Sequence, residues 1–495
     1  MKHILTGLAL AAAASVATAG DLELSLHGGA VNQTTTLSFD GDANAPYMLL
    51  FDIQESAVYV NPNVTLAIAP TFASISALVP GFVGTLDGQG SAQSSVILPN
   101  DPFLLATTVS FQAVSGNPLD SVSNLIRLTA ATAGTFEPTL DAPDLPIIEG
   151  TAAAGDDGVM FIGGSGPVAQ RYDPNLEEWS LSGAAFSIGA LGQSTALADG
   201  RILFTGGIGL NGQPTTAAAV YDPQTQLSTT ITMNQSRAGH GASLLPDGRV
   251  LITGGFKSLD LTDLLTFLTG VQGDTELFDP NTGTFAAGPT MLEPRALHTS
   301  TTTSSGGVLI AGGLTIIPII SIPTVSNTSY LFNNGSFGLP SFFAGARMMH
   351  SACALDNGDV LLAGGLSIDF SQVIQSGDLT QLVIGTLDDG QVYSSGIFGG
   401  SYSTVNGMAS GRAGAGVISL GGGDALIVGG LDVSLSTGGV NVGALSSADL
   451  YTGGGTFSPT GSMAEARTFP VLTALPDGTV LVAGGGPVSA EVYQP

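Results

Sequence analysis

Three histidines occupy one recurring place in this chain, each three residues after an arginine: Arg237 with His240, Arg295 with His298, Arg347 with His350. Arg412 and Arg467 stand at matching places without the histidine. Imidazole is a common ligand of zinc and copper, so three of them invite a metal-site reading. The spacing favours another: side chains recurring with a repeat occupy equivalent places in successive units and share a packing role. The five arginines and three histidines are therefore expected to bond neighbouring backbone or carboxylates, and no metal or cofactor is expected.

The remaining reactive types are dispersed. Many carboxylates fall in Asp-Gly and Asp-Pro turns, where turn chemistry accounts for them, so no glycosidase pair stands out. Gly207-Ile208-Gly209-Leu210-Asn211-Gly212 matches G-x-G-x-x-G, but Pro214 and the Tyr221 strand follow, with no helix to receive a pyrophosphate. Cys353, flanked by Ala352, Ala354 and Leu355, is the only cysteine; it reads as a buried strand residue and excludes an internal disulfide. A formal charge of −28 opposes nucleic-acid binding, and Lys257 as the only lysine beyond Lys2 makes anionic membranes poor partners.

The elements that carry these residues follow a countable repeat. An apolar run ending in Gly-Gly occurs seven times: Gly163-Gly164, Gly206-Gly207, Gly254-Gly255, Gly312-Gly313, Gly364-Gly365, Gly429-Gly430 and Gly484-Gly485. Before each run lies a tight turn, as in Asp199-Gly200, Asp247-Gly248 and Asp477-Gly478, which suits a hairpin needing positive φ. Downstream stands a third strand with an aromatic near a turn, namely Tyr172, Tyr221, Phe278, Tyr330, Tyr393 and Tyr451. A fourth follows with a large apolar residue: Trp179, Leu227, Phe285, Phe337, Phe398 or Phe457. Four strands per repeat define a propeller blade.

The Gly-Gly pair, the Tyr-Asp-Pro turn, the fourth-strand aromatic and the Met-x3-Arg-x2-His stretch (Met233, Arg237, His240; Met291, Arg295, His298) resemble the Kelch family over roughly residues 131–495. The resemblance implies an all-β, seven-bladed propeller. The last unit ends on a third strand at Tyr493, and Ala133 to Pro138 reads like the fourth-strand text of other units, so residues around 133–139 are expected to close the ring. Copper radical oxidases of the galactose oxidase type also carry a Kelch propeller, and Arg347-Met348-Met349-His350-Ser351 resembles their ligand segment with Met349 in place of the tyrosine. A sugar mutarotase or epimerase is the other enzyme reading; no motif selects its residues.

Residues 1–19 read as a signal peptide: Lys2, an apolar run from Ile4 to Val16, then Ala17-Thr18-Ala19 before Gly20. Residues 20–130 lack the repeat and alternate short apolar segments with turns, which predicts a β-sandwich. Four consecutive units enlarge the connection between strands two and three, at Phe256 to Asp274, Leu314 to Thr328, Leu366 to Gly390 and Leu431 to Ser447, with short helical turns expected at Leu261 to Leu268 and Leu379 to Ile384. Long insertions on one face of a repeat protein mark a binding surface. The candidate contacts on that face are Asp260, Asp263, Asp369, Gln372 and Asp388, together with Arg237, Arg295 and Arg347. The expected function is an exported or cell-surface binding module for carbohydrate or a surface protein, without membrane insertion after processing; an enzyme is the alternative.

Overall fold

The computed structural model describes the chain apart from residues 1–21, 28–29, 31–32, 54, 62–63, 69–78, 80, 98–107, 117–118, 130, 148–149, 156–157, 163–167, 185–188, 260–269, 318–321, 372–382, 397–399 and 437–438. Every element among the described residues is a β-strand, and every ladder between strands is antiparallel. The signal-peptide segment, Gly163-Gly164, Asp260, Asp263, Gln372 and Phe398 lie outside the described residues.

Seven sheets built on four sequential positions fill the chain from residue 151 onward. The third of them shows the pattern: Gly241–Leu244, Val250–Thr253, Thr275–Asp279 and Thr284–Ala287 pair in sequence order. Its second strand is buried at every residue, as are Ile202–Thr205, Val308–Ala311, Val360–Ala363 and Val480–Ala483. A strand covered on both faces has no polar side to present, which explains the unbroken apolar runs. The seventh sheet takes its outer strand from the other end of the repeat region: Phe136–Pro138 pairs with Ala490–Tyr493, Phe136 opposite Tyr493.

The first strands touch in series: Gln193–Ala196, Gly241–Leu244, Thr299–Thr302, Ser351–Ala354, Gly416–Gly421 and Val471–Ala474. Thr151–Gly155 touches both Gln193–Ala196 and Val471–Ala474. Backbone bonds follow the same order. The second glycine of each described pair donates its N–H to a carbonyl of the next unit: Gly207 to Arg237, Gly255 to Arg295, Gly313 to Arg347, Gly365 to Arg412 and Gly430 to Arg467 at 2.7–2.8 Å, and Gly485 to Ile147, before the first sheet, at 3.0 Å. These contacts require glycine: Gly254 has φ +57, and a Cβ on it would lie 2.2 Å from the Arg295 carbonyl oxygen.

Aromatic pairs join third to fourth strands, as expected for Tyr172 with Trp179, Phe278 with Phe285 and Tyr451 with Phe457. Two units differ. Phe332, not Tyr330, meets Phe337, because Tyr330 lies two residues earlier on the strand and takes the Arg295 guanidinium over its ring at 5.0 Å. In the fifth sheet Tyr402 is the partner of Tyr393. Leu227 is exposed.

The N-terminal strands form three sheets: Glu55–Asn61 pairs with Val64–Ile68 in one, and the other two share a core. Glu23–His27, Thr34–Asp40 and Ser91–Ile97 make one. Ile126–Thr129, Thr108–Ser115, Pro46–Asp52 and Val83–Thr85 make the other, to which Ser121–Val122 adds. Leu24, Leu37 and Phe39 of the first pack with Leu49, Phe111 and Ile126 of the second.

Described parts of two insertions share a sheet. Leu366–Asp369 and Val383–Thr386 of the fifth unit share one sheet with Leu431–Ser436 and Gly439–Ala444 of the sixth, joined at Gly385 opposite Ser434. Leu314–Ile317 and Ile322–Val325 of the fourth pair beside Arg295–Ala296. The expected helical turn at Leu379 to Ile384 is corrected in its described part: Val383 and Ile384 are strand, because each gains a ladder partner across from Leu366–Asp369. Beneath lies an apolar cluster that includes Phe256, Leu314, Val325, Leu366, Phe370 and Val433. Among the described residues no helix is long and apolar enough to cross a membrane.

Candidate functional site

The stretch from the recurring arginine to the first strand determines the site. Each arginine is completely buried. Its Nη1 donates to the carbonyl of the first glycine of its own unit, at 2.7–3.0 Å from Arg237 to Gly254, Arg295 to Gly312, Arg347 to Gly364, Arg412 to Gly429 and Arg467 to Gly484. The same atom reaches a carbonyl at the start of the third strand, such as Asp274, Thr328 or Ser447. A carboxylate completes each clamp: Glu276, Glu293, Asp389, Asp449 and Glu491 respectively. Arg237, Arg295 and Arg347 therefore do not face the insertion surface, because their donors tie strand two to strand three inside the sheet. Burial pulls all three guanidinium groups below the usual arginine value, with the neighbouring carboxylates acting against it.

Three residues beyond the arginine, the imidazoles tie one unit to the previous one. His240 Nε2 bonds Thr205 Oγ1 at 2.9 Å, and His298 Nε2 bonds Thr253 Oγ1 at 2.8 Å; each threonine directly precedes a Gly-Gly pair. The fourth unit has Ala311 at that place, and His350 bonds Thr299 at 2.8 Å instead. Burial, reinforced by the nearby arginines, pushes His240 and His298 down to about 3 and His350 well below its ordinary value, so all three are neutral at physiological pH. Among the described residues their Nδ1 atoms have no hydrogen-bond partner. Among the described residues no group of three or more His, Cys, Asp or Glu is placed to hold a metal ion.

Between arginine and histidine lies a further recurring position, one of left-handed backbone. Leu191, Gly239, Leu297, Met349, Gly414 and Phe469, one from each of six consecutive units, all have φ between +51° and +62°. Each N–H donates to the carbonyl of the one before: Gly239 to Leu191, Leu297 to Gly239, Met349 to Leu297, Gly414 to Met349 and Phe469 to Gly414, at 2.7–2.9 Å. Left-handed backbone costs a non-glycine residue about 1–2 kcal/mol, and the chain of bonds offsets it. Large and small residues interlock: a Cβ on Gly239 would meet Leu297 at 2.9 Å, and one on Gly414 would meet the Phe469 ring at 2.4 Å. The signal was present in the repeat, two residues after each arginine, but only Gly239 and Gly414 advertise positive φ by residue type.

This collar surrounds a cavity of about 280 Å³ lined from all seven units, from Gly150 in the first to Phe469 and Pro470 in the last. Its polar lining is Gln193, Ser194 and the three histidines; Leu191, Leu297, Met349 and Phe469 supply the apolar part. The described lining holds no carboxylate, and burial keeps its imidazoles neutral. Of the contacts expected on the insertions, Asp369 is exposed and receives the Ser371 amide at 2.8 Å, which holds its carboxyl below the usual value. Asp388 is also exposed; its carbonyl accepts the Met408 amide. The structure does not bring either into the cavity lining. Cys353 is half-buried on the strand Ser351–Ala354, its thiol pushed up to about 12 by burial.

No family model matches this chain, and no curated protein matches it. Among solved structures, one titled "Structure of YjhT" is similar over 61% of this chain and 99% of its own, at 17% identity and a TM-score of 0.46.

Proposed function

We propose that the chain is an exported or cell-surface binding protein whose seven four-stranded sheets are blades of a closed, Kelch-type propeller carrying an N-terminal β-sandwich, and that its insertion-bearing face takes carbohydrate. Closure is supported by the cyclic order of first-strand contacts, the bond from Gly485 to Ile147 and the pairing of Phe136–Pro138 with the last strand. Export rests on the sequence of residues 1–19.

The observation that carries the binding reading is the collar cavity, to which every unit contributes. Its volume is at the low end for small-molecule sites, which suits a single sugar ring. Phe469 offers a flat apolar face, and Gln193 and Ser194 offer hydrogen bonds to hydroxyls. The insertions rise on the same side, since Met348 bonds Leu366 and Ala413 bonds Leu431 directly beside the collar.

The test is saturable binding of the purified mature protein to an immobilised panel of polysaccharides and envelope fractions, beside Phe469→Ala and Gln193→Ala. Saturable binding to one glycan, weakened at least tenfold by either substitution in a folded protein, is the expected result. Binding to protein fractions alone would redirect the reading to a surface-protein partner, and turnover of a bound sugar would replace it with an enzyme.

A further inference from the structure

The seam between the first and seventh sheets holds a second cavity, of about 50 Å³, beneath the N-terminal strands. Arg127 crosses it from the N-terminal side. Its amide donates to the Asn175 carbonyl at 2.8 Å, and its guanidinium reaches the Leu176 carbonyl, Glu178 at 2.9 Å and both oxygens of Glu55 at 2.7 Å. His27 lies over the Asp477-Gly478 turn, with Nδ1 3.4 Å from the Pro476 carbonyl and its ring filling the space a Gly478 Cβ would need.

Two carboxylates meet in this cavity from opposite sides of the seam. Glu177, at φ +53 in the turn of the first sheet, receives the Leu140 amide. Asp477, in the hairpin turn of the seventh sheet, receives the Thr479 amide at 2.9 Å and hydroxyl at 2.6 Å. Glu137 of the closing strand also lines the cavity, as does Tyr172. Asp173 lies on the Tyr172 strand, and Asp141 accepts the Trp179 amide nearby.

We propose that this cluster is a proton-operated latch: Glu177 and Asp477, from the first and last sheets, share one cavity under His27 and Arg127, and proton uptake there fastens the N-terminal strands onto the seam.

Burial, with the Asp477 charge adding, pushes the Glu177 carboxyl up to about 7, and burial raises Asp477 as well. The docked state therefore binds more protons than the undocked one. Docking is strongest below the ordinary carboxylate value and weakens as pH rises through about 7. Arg127 keeps its charge throughout and is engaged by Glu55 and Glu178. One proton released over this window weakens docking about tenfold between pH 6 and pH 8.5.

The experiment is amide hydrogen exchange of the mature full-length chain at pH 6 and pH 8.5, corrected for intrinsic rates, with Trp179 emission as a second readout. In the wild type, protection of the Ile126–Thr129 strand should fall about tenfold at pH 8.5 while Val360–Ala363 is unchanged. Glu177→Gln should hold the pH 6 protection at both values. A wild-type strand equally protected at both pH values overturns the latch, as does a Glu177→Gln protein with the wild-type profile. Should that variant fail to fold, the wild-type comparison decides alone.

Discussion

At the scale of single residues, the recurring arginine is a fastener. A guanidinium presents a planar fork of donors, and each of the five uses that fork on two carbonyls of its own unit and on a nearby carboxylate. Arg412 is the extreme case: it and Asp449 are both fully buried, 2.5 Å apart. Removing one member leaves an unpaired buried charge, so Arg412→Ala should lose roughly 3–5 kcal/mol in chemical denaturation. Arg412→Lys should recover little of it, because one ammonium cannot span the three acceptors. If Arg412→Ala proved neutral, the clamp would not be a source of stability. The repeat spacing made such a role legible, since five arginines in register cannot converge on one ligand. The carboxylate partners were not legible, because Glu276 and Asp449 sit on the third strand while Glu293 lies between the fourth strand and the arginine.

Among elements, the strand Phe136–Pro138 is the economical one. It joins the two ends of the repeat region with three residues, and Phe136 packs on Tyr493 at 4.9 Å between ring centroids and on Val428, Met463 and Val480. Phe136→Ala should cost about 3–5 kcal/mol and lower the thermal midpoint. A midpoint within a degree of wild type would show that the strand closes nothing. The insertions are elements of another kind. Alternating strand direction predicts them on one face, but the sheet that two of them share depends on Gly385 meeting Ser434 across two units, which no local pattern encodes. Excising residues 367–388 would uncover Leu431–Ser436 and part of the apolar cluster, so substitutions in the collar are the cleaner probes of binding.

At the scale of the whole molecule, charge sets the terms. A net charge of −28 stores self-repulsion in any compact state. Raising sodium chloride from about 0.02 M to about 0.5 M shortens the screening length severalfold and should raise the thermal midpoint by several degrees. A midpoint that falls with salt would mean that the exposed pairs, such as Arg201 with Asp199, outweigh the repulsion. The amino-acid sequence by itself determined the unit: four strands, a Gly-Gly pair and a recurring arginine, because each recurs with the repeat and is written in local turn chemistry and unbroken apolar runs. It also indicated the outer strand of the last unit, because that text repeats. The collar, the shared insertion sheet and the Glu177–Asp477 cavity were decided only by tertiary structure. Each is made where residues far apart in the chain are brought together by neighbouring units, and distance along a sequence carries no record of that approach.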